Sequence, residues 1–107
     1  MIEIRNTSGN VIWTSEAKTV RAAVEEAVAA KADLSGADLS GADLSGADLS
    51  RANLTWSDLT GAYLTGAYLS RANLTWSDLT GADLTGAKIN ADDQAALLSA
   101  LGIRVKS

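Results

Sequence analysis

A mainly β coil that turns every five residues and closes a square every twenty is the fold this 107-residue chain predicts. Three observations predict it. Leu34, Leu39, Leu44, Leu49, Leu54, Leu59, Leu64, Leu69, Leu74, Leu79, Leu84 and Ile89 stand five apart without a break. The twelve residues RANLTWSDLTGA occupy positions 51–62 and recur at 71–82, a shift of 20. The segments before and after this array, 1–31 and 92–107, lose the five-residue period and carry the patterns of end pieces.

The first end piece opens with Ile2-Glu3-Ile4-Arg5, which alternates apolar and polar as a half-buried strand does. Ser8-Gly9-Asn10 is a turn cluster. Val11-Ile12-Trp13 follows as the return strand of a hairpin. Thr19 is placed to cap a helix running to about Ala30, with Ser15 as an earlier start. Val20, Val24, Ala27 and Val28 share one face of that helix, which the first coil would cover. An open β coil exposes unpaired N–H and C=O groups that recruit other chains, so both ends need covering.

The array itself is twelve copies of Ala-Asp/Asn-Leu-Ser/Thr-Xaa over residues 32–91, with Gly, Arg or Trp at the fifth place. Five residues advance an α-helix by about 500°, so leucines at this spacing would spiral and form no face. On a flat strand an odd spacing alternates sides. All twelve reach one interior only if the chain turns once per repeat. Ala and Leu, two apart, then point inward along a short extended side. The 20-residue duplication makes four such sides to a coil. Twelve units give about three coils, a stack about 14 Å tall at the usual strand spacing.

The last end piece begins at Asn90, placed to cap a helix from Ala91. Asp92 and Asp93 in the first turn suit the positive end of its dipole. Leu97, Leu98 and Leu101 make its apolar stripe, Gly102 ends it, and Ile103-Arg104-Val105 reads as a short closing strand.

These twelve units resemble the pentapeptide-repeat family. The resemblance implies a right-handed quadrilateral β-helix with the central Leu and preceding Ala inward and the other three positions in solvent. The opening hairpin and helix are similar to the cap of some family members. Departures are Ser57 and Ser77 in the small inward place, and Trp56 and Trp76 at the outward corner. Residues 51–70 and 71–90 differ only at 63/83, 68/88, 69/89 and 70/90, and GADLS occurs three times in a row over 36–50. Such regularity reads as an engineered, consensus-style array, with a recent natural duplication as the alternative.

Composition narrows function. The chain has no His and no Cys, which removes the usual general base, thiolate chemistry and the commonest metal ligands. Net charge is −4, and all of it falls within 32–90, because 1–31 and 91–107 are each balanced. That sign opposes nucleic-acid binding, which needs clustered Lys and Arg. No run of 18 apolar residues marks a membrane span, and Met1-Ile-Glu-Ile-Arg is not the start of a secretory signal, so a cytoplasmic location is expected.

Each candidate site has a structural counterpart. A nucleophilic Ser or Thr needs an adjacent base that a Leu/Ala interior does not offer. Asp38, Asp58 and Asp78 fall in one column, a solvated acidic face or at most a weak cation site. Lys31, Arg51 and Arg71 form a second column, which balances the acid. Trp56 over Trp76, with Tyr63 and Tyr68 at their flanks, is the candidate partner surface, read otherwise as same-face pairs that steady neighbouring coils. The expectation is therefore a non-catalytic repeat scaffold without cofactor or metal, free to meet a protein partner or itself through its caps or coil ends. The family resemblance implies one alternative, a short acidic mimic of DNA that binds type II topoisomerases.

Overall fold

The computed structural model describes residues 1–89; the expected C-terminal helix, Gly102 and the Ile103–Val105 strand lie outside them. The chain opens with strand β1 (Ile2–Arg5), pairs it antiparallel with β2 (Val11–Ser15), and continues into helix α1 (Val20–Ala29). Ile2 faces Ser15, Ile4 faces Trp13, and a bulge after Ile4 lets Arg5 face Val11. β2 thus runs two residues beyond the Val11–Trp13 segment read from the sequence. The extension places Ser15 beside α1. Its buried hydroxyl donates to Glu26 Oε2 at 3.0 Å, and the Trp13 indole donates to Glu26 Oε1 at 3.2 Å, so one carboxylate clasps the hairpin to the helix.

Thr19 caps α1: its extended backbone turns into the helix and its hydroxyl accepts the Ala22 amide at 3.1 Å. The other end closes as a Schellman motif. Lys31 adopts φ 60°, its amide donates to Val28, and the Ala32 amide donates to Ala27. Ala23, Val24 and Ala27 are fully buried on the face turned to the coil.

From Lys31 onward every fifth residue to Gly86 has a positive φ, between 60° and 72°. From Gly36 on, each is the third residue of a turn closed by a backbone bond from the following Ala or Ser amide to the preceding Leu carbonyl, as in Ala37 to Leu34 at 3.0 Å. A positive φ at the third place alone is the type II pattern. Glycine takes it without penalty, whereas Lys31, Arg51, Trp56, Arg71 and Trp76 hold it against a cost of about 1–2 kcal/mol each.

Parallel bridges join residue n to residue n+20 on all four sides: Asp33 to Asn53 to Asn73, Asp38 to Asp58 to Asp78, Asp43 to Tyr63 to Asp83, and Asp48 to Tyr68 to Lys88. This is a β-helix-type fold with twenty residues to the coil. The backbone amides of one repeat can be followed to their partners. In the repeat around Leu59, the Asp58 amide donates down to Ala37, and the Leu59 and Gly61 amides donate up to Asp78 and Thr80. The Ala62 amide closes the turn on Leu59. The Thr60 amide, which has no backbone partner in that pattern, donates to Asp58 Oδ1 at 3.0 Å.

That last bond recurs wherever the place holds Asp or Asn. Ser35, Ser40, Ser45, Ser50, Thr55, Thr75, Thr80 and Thr85 each donate their amide to the side chain two residues back. The Asp/Asn-Leu-Ser/Thr spacing is therefore a hydrogen-bond unit of the Asx kind, and not only a run of solvent-facing β-formers. The hydroxyl two residues on, seconded by its amide, holds Asp33, Asp43, Asp48, Asp78 and Asp83 below the ordinary carboxylate value.

At the first coil, which has no coil beneath it, the opening segment supplies the partners. The Asp38 amide donates to Arg5 and the Asp48 amide to Glu25 Oε2. Within the coils the leucines from 34 to 79 are buried, while Leu84 and Ile89, at the end of the described segment, are half-buried. Ser57 and Ser77 are buried in the small inward place. Ser77 Oγ donates to the Leu74 carbonyl at 2.6 Å, whereas Ser57 Oγ finds no partner.

Two outcomes are expected. Ser57→Ala removes a buried, unsatisfied hydroxyl and stabilises the fold by about 1 kcal/mol, while Ser77→Ala gives up a bond and gains less. Thermal melts of the two variants check this, and a lower melting temperature for Ser57→Ala would contradict it. The acid limb follows from the lowered carboxylates. Their folded values lie below the unfolded ones, so the folded state binds fewer protons. Stability is full above the unfolded value near 4 and is lost as pH falls through it toward the folded values. Melts from pH 7 to pH 3 should show that decline, with a shallower acid limb in Asp83→Asn, which keeps the acceptor and loses the titration.

Candidate functional site

The inward places are filled by Leu, Ala and Ser, so any site must be built from the outward ones. These form columns set by the 20-residue register. Asp38, Asp58 and Asp78 make a single column, with Asp58 half-buried and the other two exposed. Among the described residues no group of three or more acidic side chains converges to hold a metal ion. The carboxylates of this column are spent along the chain, on the amides of Ser40, Thr60 and Thr80, instead of being turned toward a common centre.

Trp56 and Trp76 do come together. Their rings stack with centroids 5.6 Å apart and planes 17° from parallel, and they are 64% and 71% exposed. Tyr63 and Tyr68 are not at their flanks, which corrects the sequence reading. The Trp corner joins the side of Asn53 to the side of Asp58. Tyr63 and Tyr68 lie on the next two sides and straddle the corner at Gly66, diagonally across the square. Five-residue sides separate in space what looks adjacent along the chain. Tyr63 sits between Asp43 and Asp83, and Tyr68 between Asp48 and Lys88. Lys88 Nζ lies 4.7 Å from the centre of the Tyr68 ring, a cation–π contact.

Lys31, Arg51 and Arg71 share the corner before the Trp corner. Beside it runs a surface groove of about 710 Å³ between α1 and the coil, lined by Glu25, Val28, Lys31, Asp48, Arg51 and Asn53 among others. Its two cations face two carboxylates, so it has no net pull on an ion of either sign. The Asx bonds are what the sequence reading missed, and their signal was present: an Asp or Asn stands two places before Ser or Thr in most copies.

No helix among the described residues is long and apolar enough to cross a membrane. The family model described as pentapeptide repeats, in eight copies, matches residues 15–46 and 47–86. No curated protein matches the chain significantly. Among solved structures the chain is similar to a pentapeptide repeat protein, Rfr23, from the cyanobacterium Cyanothece 51142. Identity is 39% over 58% of this chain and 42% of that one, with a TM-score of 0.55. It is also similar to a pentapeptide repeat protein from the Arabidopsis thaliana thylakoid lumen, with 45% identity over 65% of this chain and 49% of that one, and a TM-score of 0.61. Each match covers less than half of the solved chain. The family match over most of the chain, the five-residue turns and the 20-residue ladders agree, and the chain belongs to the pentapeptide-repeat family.

Proposed function

We propose that this chain is a non-catalytic structural scaffold: a right-handed array of twelve pentapeptides in three coils, capped below by residues 1–31 and above by 92–107. Its regularity suits a consensus-style origin. One observation carries the reading: each place in the repeat already has a structural task. Ala and Leu fill the interior, Asp or Asn holds the Ser/Thr amide, and the fifth residue makes the corner. With no His or Cys in the chain, Ser and Thr hydroxyls have no imidazole to activate them.

A scaffold of this kind grows by whole coils, because each coil contacts only its neighbours. Inserting one more copy of residues 51–70 after Ser70 should give a folded protein that unfolds cooperatively at a higher temperature. A lower melting temperature, or loss of the cooperative transition, would overturn the reading.

The Asp38–Asp58–Asp78 column favours a second reading, the acidic DNA mimic. Its three rungs span about 10 Å at the strand spacing, about three base pairs of duplex. So short a column is a poor substitute for a groove. Titrating the protein into a supercoiling reaction run by a bacterial type II topoisomerase should give no inhibition at 0.01 M or 0.15 M salt, where screening lengths are about 30 Å and 8 Å. Saturable inhibition that disappears in the Asp38→Asn, Asp58→Asn, Asp78→Asn triple variant would replace the scaffold with the mimic.

A further inference from the structure

The Trp56–Trp76 corner has features that scaffolding does not require. Two large rings stand in solvent at places where seven other corners use glycine, and both hold a positive φ to do so. The rings stack along the ladder, so Trp76 covers one face of Trp56 and the opposite face turns toward the coil below. The residue at that corner of the coil below is Gly36, where an added Cβ would meet nothing within 4 Å. The Trp56 ring therefore looks onto an open space, floored by the turn of the hairpin, whose Thr7 amide donates to the Gly36 carbonyl.

The two sides that meet at this corner carry only negative charge among the described residues, and the Lys31, Arg51 and Arg71 corner lies one side away. Asp38, Asp58 and Asp78 follow the corner on one side, and Asp33 lies one coil below Asn53 on the other. Asp78 is held below the ordinary carboxylate value and is ionised at neutral pH. Arg5, whose carbonyl takes the Asp38 amide, turns its guanidinium away to Glu3 Oε1 at 2.9 Å and the Gly9 carbonyl at 2.7 Å. Tyr68 already has the ammonium of Lys88 on its ring.

We propose that the Trp56–Trp76 corner and the adjoining Asp38–Asp58–Asp78 column form a docking surface for an arginine side chain of a basic peptide partner. Charge selects a cation, and the indole face selects a flat one. A guanidinium can lie parallel to the Trp56 ring above Gly36 while its edge N–H groups reach the neighbouring carboxylates. An ammonium has the charge without the plane, and a neutral urea has the plane without the charge. The surface goes beyond the scaffold reading and does not depend on it.

The test uses the whole protein, with the indole N–H signals of its three tryptophans read by NMR. The probe is a blocked Gly-Arg-Gly-Arg-Gly peptide, compared with Lys and citrulline versions. Saturable shifts are expected at Trp56 and Trp76, with Trp13, already bonded to Glu26, unmoved. The Lys peptide should bind about fivefold more weakly, and the citrulline peptide should not bind. Trp56→Gly relieves the corner of its positive-φ cost, so the variant should melt cooperatively and lose the shifts at Trp76. Asp58→Asn with Asp78→Asn should weaken binding by a similar factor. Equal binding of the Arg and Lys peptides, or of the citrulline peptide, would overturn the proposal. So would shifts that persist in Trp56→Gly, or none at all at millimolar peptide. The peptide comparison is made on the parent chain and holds even if a variant fails to fold.

Discussion

A chain that must turn every five residues needs a left-handed backbone conformation at every corner, and the rest of this structure depends on that requirement. The corner carries the third residue of each turn to φ near 65°, which brings the Leu carbonyl and the next Ala or Ser amide into bonding distance. Only then do Ala and Leu of successive sides face one interior. Glycine meets the requirement freely, which explains its restriction to the fifth place within the array. Where Lys, Arg or Trp stands there instead, the turn bonds on either side hold it in place.

The turn creates a debt of one amide. Its second residue, Ser or Thr, points its N–H where no neighbouring coil offers a carbonyl. The Asp or Asn side chain two residues back accepts that bond. The outward carboxylates are thus part of the backbone's hydrogen-bond accounting, and the lowered affinity of several for protons is the electrostatic trace of that role. Tyr63 and Tyr68 cannot make this bond for Thr65 and Ser70, so those two repeats depend more on their ladders. The Lys88–Tyr68 contact is one such cross-coil tie.

Much of this was legible in the sequence, for definite reasons. The run from Leu34 to Ile89 excluded helix and flat strand because neither periodicity accommodates five. The duplication of RANLTWSDLTGA marked four sides because identical residues favour identical places in stacked coils. Thr19 was legible as a helix cap because its neighbours carry a helical apolar stripe. Less legible was anything that depends on conformation at single residues. Composition does not say that Arg51 and Trp56 hold positive φ, since those residues rarely do. It does not say that Tyr63 and Tyr68 lie diagonally across from Trp56, because that follows only once the sides are laid out in space. The difference between Ser57 and Ser77, identical in local sequence, resides in the orientation of a hydroxyl.

Lys31 belongs to two systems at once. Its left-handed conformation terminates α1 and is also the first corner of the array. The helix and the coil therefore share an angular origin, as a crank shares a keyway with its shaft. A pentapeptide added anywhere downstream advances the chain by one side, a quarter revolution relative to the hairpin. Four restore the original heading one coil higher. The count of repeats thus sets the compass direction in which the chain leaves the array, as well as its height. Insertions and deletions are constrained accordingly: a single residue breaks the corner sequence, five redirect whatever follows, and twenty lift it without turning it.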